Sequence, residues 1–204
     1  MAEYIIKKTD EKTLTASSEA WKNANTAKID CVNWDIFPEC PETEVKVLYN
    51  DEGIFVRFES EEEDLFIGER EFNGEVYEDS ACEIFFKPNI NIPEYFNFEI
   101  NAAGVPLIGW GSGRAPQRVR LPLKDISIFE IESIIKEKGF ILKLFIPYSF
   151  MKEYAGEISE YFVGNFQKCC QNKEPQHYVS HFAIGTEKPD FHNSAYFGKM
   201  IFER

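Results

Sequence analysis

Along Tyr95-Phe-Asn-Phe-Glu-Ile-Asn101, apolar and polar side chains alternate without a break. A β-strand sends alternate side chains to opposite faces, so Phe96, Phe98 and Ile100 share a core face. Asn97, Glu99 and Asn101 then form a row of amides and a carboxylate on the other, exposed side. The earlier stretch Tyr77-Glu-Asp-Ser-Ala-Cys-Glu-Ile-Phe-Phe ends in a similar strand, in which Glu83 lies between core-facing Cys82 and Ile84 and points away from the core. Two such strands, approached through Tyr77, set fixed hydrogen-bonding groups beside an aromatic ring, an arrangement suited to a sugar.

The same period of two recurs elsewhere. Val45-Lys-Val-Leu-Tyr49, a turn at Asn50-Asp-Glu-Gly53 and Ile54-Phe-Val-Arg-Phe-Glu-Ser60 predict a hairpin. Further strands are predicted over 82–87, 95–101, 105–110, 126–132, 139–146, 161–168, 176–182 and 196–202. Two short helices are expected, at 18–24 behind a Ser18 cap and carrying Trp21, and at 148–155 after Pro147. The acidic run 61–64 reads as a solvated loop edge and 71–75 as a turn. Short strands parted by Gly, Pro and Asn argue for an all-β chain, a single-domain antiparallel β-sandwich over 1–204, rather than alternating β-α units.

Composition agrees with this. With 204 residues and 44% hydrophobic side chains the chain can fill one core, and its 19 Phe and 9 Tyr favour strands. A formal charge of −13 repels phosphate backbones and anionic lipid, so neither nucleic acid nor a membrane is an expected partner. No window approaches the ~20 apolar residues of a membrane span, and no export signal opens the chain; the sequence reads as cytoplasmic as it stands, or as secreted if it is a trimmed mature form. Five cysteines without C-x-x-C spacing predict reduced thiols, with vicinal Cys169 and Cys170 on opposite faces of a strand.

The candidate chemistry is that of binding. Glu83 reads either as an acceptor for a ligand hydroxyl or as a sheet-surface carboxylate paired with Arg57 or Lys143. Asn165 and Gln167 share a strand face and extend the polar row if their strand joins the same sheet. Arg114, in the loop Gly111-Ser-Gly-Arg-Ala-Pro, can swing a guanidinium over a pocket and pair with a uronic-acid carboxylate or simply neutralise the surrounding carboxylates; Trp110 is a ligand ring or core. His177, His181 and Asp190-Phe-His192 do not complete a metal shell, and no cofactor motif appears. The serine-elbow pattern would need glycine where Trp110 stands. A Glu83–Glu99 pair working as acid and base would make a glycoside hydrolase, the alternative reading. A second alternative is a scaffold for protein contact that has lost sugar binding.

Taken in order, the Trp34 region, the hairpin at 48–58, Tyr77 to Phe86, Phe98-Glu-Ile-Asn101, Gly164-Asn-Phe-Gln-Lys-Cys169 and Pro189-Asp-Phe-His-Asn with Tyr196-Phe-Gly198 resemble family 9 carbohydrate-binding modules and their DOMON-like relatives. The resemblance covers nearly the whole chain. It implies a β-sandwich whose slot clamps a mono- or disaccharide of plant-polysaccharide type, such as xylan fragments, between aromatic rings. It further implies a structural calcium in some members and a glycan-degrading enzyme as a partner. A Trp of the family is replaced here by Tyr77, the second ring by Phe191, and an Arg of the third motif by Glu99. Glu78 and His192, which adjoin these rings, complete the candidate ligand set.

Overall fold

Strands form where β-branched and aromatic residues alternate, because those side chains pack well on a pleated surface. The computed structural model describes residues 2–203. In chain order its strands are β1 (Glu3–Lys8), β2 (Thr26–Lys28), β3 (Cys31–Val32), β4 (Glu42–Tyr49), β5 (Gly53–Glu61), β6 (Ala81–Lys87) and β7 (Tyr95–Asn101). There follow β8 (Pro106–Gly111), β9 (Arg118–Arg120), β10 (Glu132–Ile135), β11 (Phe140–Pro147), β12 (Tyr161–Cys170), β13 (His177–Ser180) and β14 (Gly198–Phe202). Among the described residues one α-helix, α1 (Tyr148–Ala155), follows β11 at the span the sequence predicts.

The strands make two leaves. The first runs β10-β11-β5-β4-β1, with β2 beside β4; the second runs β1-β14-β12-β6-β7-β8-β9, with β13 on β12 and β3 on β13. β1 belongs to both, pairing in parallel with β14 through residues 3–6 and with β4 through Lys7 and Lys8, while the other pairings are antiparallel. Between the leaves, Phe86, Phe96, Phe98 and Phe166 of the second meet Val47, Val56, Phe58 and Leu142 of the first, all essentially shielded from water. Each such side chain stabilises the fold by about 1.5–3 kcal/mol relative to exposure. The outer face of the first leaf is capped by the segment bearing Leu14 and Trp21, which packs on Leu48, Phe55 and Phe145. The outer face of the second leaf carries the polar row.

Three expectations need correction. The strand expected at 126–132 is displaced: Ser127–Phe129 is a 3-10 turn and the strand starts at Glu132. Phe129 must turn inward to pack edge-on against Phe98 and Phe150, and Glu130 takes a left-handed φ of 43° to bring the chain back. The helix expected at 18–24 is a short 3-10 turn, Glu19–Asn23, pinned by Trp21, whose indole N–H donates to the Thr15 carbonyl at 2.9 Å. Within the acidic run 61–64, Glu62 is buried rather than solvated, because its carboxylate meets the fully buried Lys168 ammonium at 2.8 Å.

Candidate functional site

Pairing of β12, β6, β7, β8 and β9 brings the polar positions of five strands into two cross-strand rows. Gln167, Glu83, Glu99 and Leu107 stand in one, and Asn165, Phe85, Asn97, Gly109 and Arg120 in the other. Asn165 and Gln167 therefore do lie in the same sheet as Glu83. The surface is not open to solvent as the alternation alone suggested: Glu83, Asn97 and Glu99 are each under 5% exposed. Loops rise around them. On one side Trp34 donates its indole N–H to the Thr186 carbonyl at 2.8 Å and packs on Phe191, tying the 34 and 186–192 segments together. On the other, the 112–117 loop is fastened by Arg114 to Asp190 at 2.9 Å. Between them lies a cleft of about 530 Å³ with Glu83, Phe85, Asn97 and Glu99 on its floor.

Glu83 and Glu99 are directly opposed neighbours on adjacent strands. Neither meets Arg57 or Lys143, which pair with Glu59 and Glu130. Burial, then the charge of Glu99, pushes the Glu83 carboxyl well above the usual carboxylate range. Burial raises Glu99 to about 7, against the Asn97 amide that donates to it at 2.7 Å and the charges of Arg118, Arg120 and Arg114. One oxygen of Glu83 accepts from the Cys169 thiol at 3.1 Å. Its other oxygen, buried and lining the cleft, has no partner among the described residues. A buried acceptor left unmatched costs about 1–3 kcal/mol, which a ligand hydroxyl can recover.

The rest of the floor is held by Arg118. Its guanidinium lies 4.0 Å over the Tyr95 ring, donates to the carbonyls of Gly113 at 2.8 Å and Gly111 at 3.0 Å, and meets the Asn97 side-chain oxygen. Tyr95 in turn donates its hydroxyl to the His192 carbonyl at 2.8 Å. Burial and the nearby arginines lower the His192 imidazole to about 3, so it stays neutral at ordinary pH. Gly109 has no side chain because Asn97 fills that space; a Cβ there would collide with the Asn97 amide.

Seven of the residues singled out from sequence line the cleft: Tyr77, Glu83, Asn97, Glu99, Arg114, Phe191 and His192. Five do not. Trp110 is in register with Phe96 and packs against it, ring centres 4.3 Å apart and tilted by 46°, on the opposite, core-facing side. Asn101 is consumed by Asp79, the Glu69 carbonyl and the amides of Ala103 and Val105. Asn165 is likewise consumed by Phe182 and its own neighbour Phe166. Gln167 is fully buried against backbone carbonyls, and Glu78 turns outward to Asn172. Sequence reading missed Tyr178, a half-buried ring opposite Cys169 and 4.7 Å from Phe37, and did not place Arg118 and Arg120 in a site. Strand parity was the usable signal for these, since Tyr178 alternates with buried His177 and Arg118 alternates with Val119. Phe191 lines the cleft but is only 9% exposed, so Tyr77 and Tyr178 present the accessible rings.

Among the described residues no three His, Cys, Asp or Glu side chains come together in a group that could hold a metal ion. All five thiols are free, and Cys169 and Cys170 do point to opposite faces, one toward Glu83 and the other toward the Glu78 carbonyl.

The architecture is shared with solved structures. A candidate carbohydrate-binding protein from Bacteroides uniformis ATCC 8492 superposes with a TM-score of 0.86 at 25% identity, covering 98% of this chain and 99% of that one. A family 9 carbohydrate-binding module from Caldicellulosiruptor kristjanssonii, in complex with glucose, gives 0.69 at 13% identity over 99% and 96% of the two chains. The same comparison with a cellotriose complex from that organism gives 0.68 at 13% identity over 99% and 94%. At that identity the likeness speaks for the fold alone. No curated protein sequence matches the chain. The sequence does match Carbohydrate-binding family 9 over residues 16–202, nearly its whole length, and the chain belongs to that family.

Proposed function

We propose that this protein binds a mono- or oligosaccharide of plant-polysaccharide type in the cleft above Glu83 and Glu99, without transforming it. The observation that carries the reading is the unpartnered, buried oxygen of Glu83 at the floor of a cleft that also offers Tyr77 and Tyr178 as rings. Ring faces cover the apolar C–H side of a sugar, and planar acceptors fix its hydroxyls. Glu83, its carboxyl pushed well above the usual range by burial and by Glu99, and Glu99, raised to about 7 by burial, can each donate to a hydroxyl when protonated and accept from one when ionised. Family membership and the glucose and cellotriose complexes of structural neighbours favour the same reading.

The hydrolase alternative asks for an acid and a base flanking the scissile bond. Here both carboxyls rise from directly opposed positions on adjacent strands, so turnover itself, rather than their placement, separates the two readings. Calorimetry against glucose-, xylose- and galactose-containing oligosaccharides tests the proposal. Saturable binding that weakens at least tenfold in Tyr77→Ala is expected. Folded protein with no heat change across the panel refutes it, and release of reducing ends from any of these sugars refutes the non-catalytic part.

A further inference from the structure

The distribution of cations is uneven. The chain has six arginines among its 22 basic residues and a formal charge of −13, yet Arg114, Arg118 and Arg120 all line this one cleft, and no lysine does. A point charge would serve to balance the floor carboxyls. A planar fork is what a carboxylate ligand needs, because two parallel N–H groups match its two oxygens. Burial pushes both floor carboxyls toward the neutral form, which lowers the floor's own demand for guanidinium charge.

The three arginines are not equally committed. Arg118 is spent on Tyr95, Asn97 and two carbonyls. Arg114 gives its Nε and Nη2 to Asp190, which neutralises it. Arg120 donates one nitrogen to the Asn73 carbonyl at 2.6 Å, and its one ion pair among the described residues is with half-exposed Glu75, 4.0 Å away, while Glu69 and Glu99 feel its charge from farther off. It stands across from Gly109, so no side chain on that neighbour screens it from the floor.

We propose that the cleft selects an acidic sugar, a uronic-acid residue whose carboxylate is received by the guanidinium of Arg120 while its ring lies on the Glu83–Asn97–Glu99 floor. This deepens the carbohydrate-binding reading and rests on it. The ligand's charge also opposes the net field of the protein, so selection is local to the cleft and is sensitive to salt.

The test is calorimetry at pH 7 in low salt with matched pairs: glucuronic acid against glucose, galacturonic acid against galactose, and digalacturonate against its neutral disaccharide. At least one uronate is expected to bind about tenfold or more tightly than its neutral partner, with the ratio shrinking severalfold in 0.5 M salt, as a partly exposed charge pair implies. In Arg120→Gln the ratio falls to near one, and Arg120→Lys restores part of it; circular dichroism verifies that both variants fold. Neutral sugars binding as well as or better than uronates overturns this inference and leaves the broader proposal standing. A uronate preference that survives Arg120→Gln overturns the assignment to that residue. Failure of both members of every pair to bind overturns the carbohydrate reading and this inference with it.

Discussion

Glu99→Gln is the sharpest probe of the cleft floor. In the unfolded chain the Glu99 carboxyl titrates near 4.5, and in the folded protein burial raises it to about 7. Between those values the folded state holds more protons than the unfolded one, so this group's contribution to stability falls as pH rises. At about 1.4 kcal/mol per tenfold change in proton affinity, the rise amounts to about 3 kcal/mol, present below pH 4.5 and lost above pH 7. Glu83, raised by burial and by Glu99 itself, acts in the same direction. Other carboxylates oppose the trend: Glu59, for example, is held below its usual range by Lys136 and Arg57 despite its burial. A difference between two proteins removes these common terms. Gln keeps the oxygen that accepts from the Asn97 amide, so the substitution deletes the charge and little else. Urea unfolding of wild type and Glu99→Gln at pH 4.5 and pH 8 is expected to show the variant gaining about 3 kcal/mol relative to wild type across that interval. Glu83→Gln/Glu99→Gln extends the gain. A stability difference that does not change with pH refutes the reasoning, because it means that Glu99 ionises as it does in water and that the floor is not desolvated.

Elsewhere in the fold, Glu62→Gln leaves the Lys168 ammonium buried without its counter-charge, and urea midpoints are expected to report a loss of about 3–5 kcal/mol, a good part of it recovered in Glu62→Gln/Lys168→Met. Gly139→Ala forces a Cβ onto the Ser60 carbonyl at a left-handed φ of 82°, so a loss of about 1–3 kcal/mol is expected with sugar affinity unchanged, since the turn lies between β10 and β11, away from the cleft.

Strand parity made most of this site legible before any coordinates. Alternation around Glu83 and along 95–101 places the carboxyls and Asn97 on the face opposite Cys82, Ile84, Phe96 and Phe98, where they are found. The same parity misled where a residue's use depends on what covers it. Asn101 and Asn165 lie on the favoured face, but backbone groups of nearby turns reach them first, and no local pattern records which loop folds over which strand. Trp110, which the sequence leaves open as ligand ring or core, is assigned to the core side by its register with Phe96. β1 was missed because its apolar content is confined to Tyr4, Ile5 and Ile6, too short a run to stand out, and its place is secured by pairing with distant strands. Glu62 looked like one of several surface acids since nothing nearby in sequence announces a buried lysine over 100 residues away.

Arg118 braces the tip of the β8–β9 hairpin, strand β7 and the His192 loop through one side chain and the tyrosine beneath it. On the proposed reading, a sugar meets walls already held in shape and spends little of its binding energy on ordering them. The corollary concerns how such a socket is retuned. Replacing a brace loosens several strands at once, whereas Tyr77, Tyr178 and Arg120 carry fewer ties, Arg120 one hydrogen bond to the Asn73 carbonyl and Tyr178 its edge contacts with Phe37 and Phe191. On that same reading, a change of ligand preference falls to those three side chains while the scaffold beneath them stays as it is.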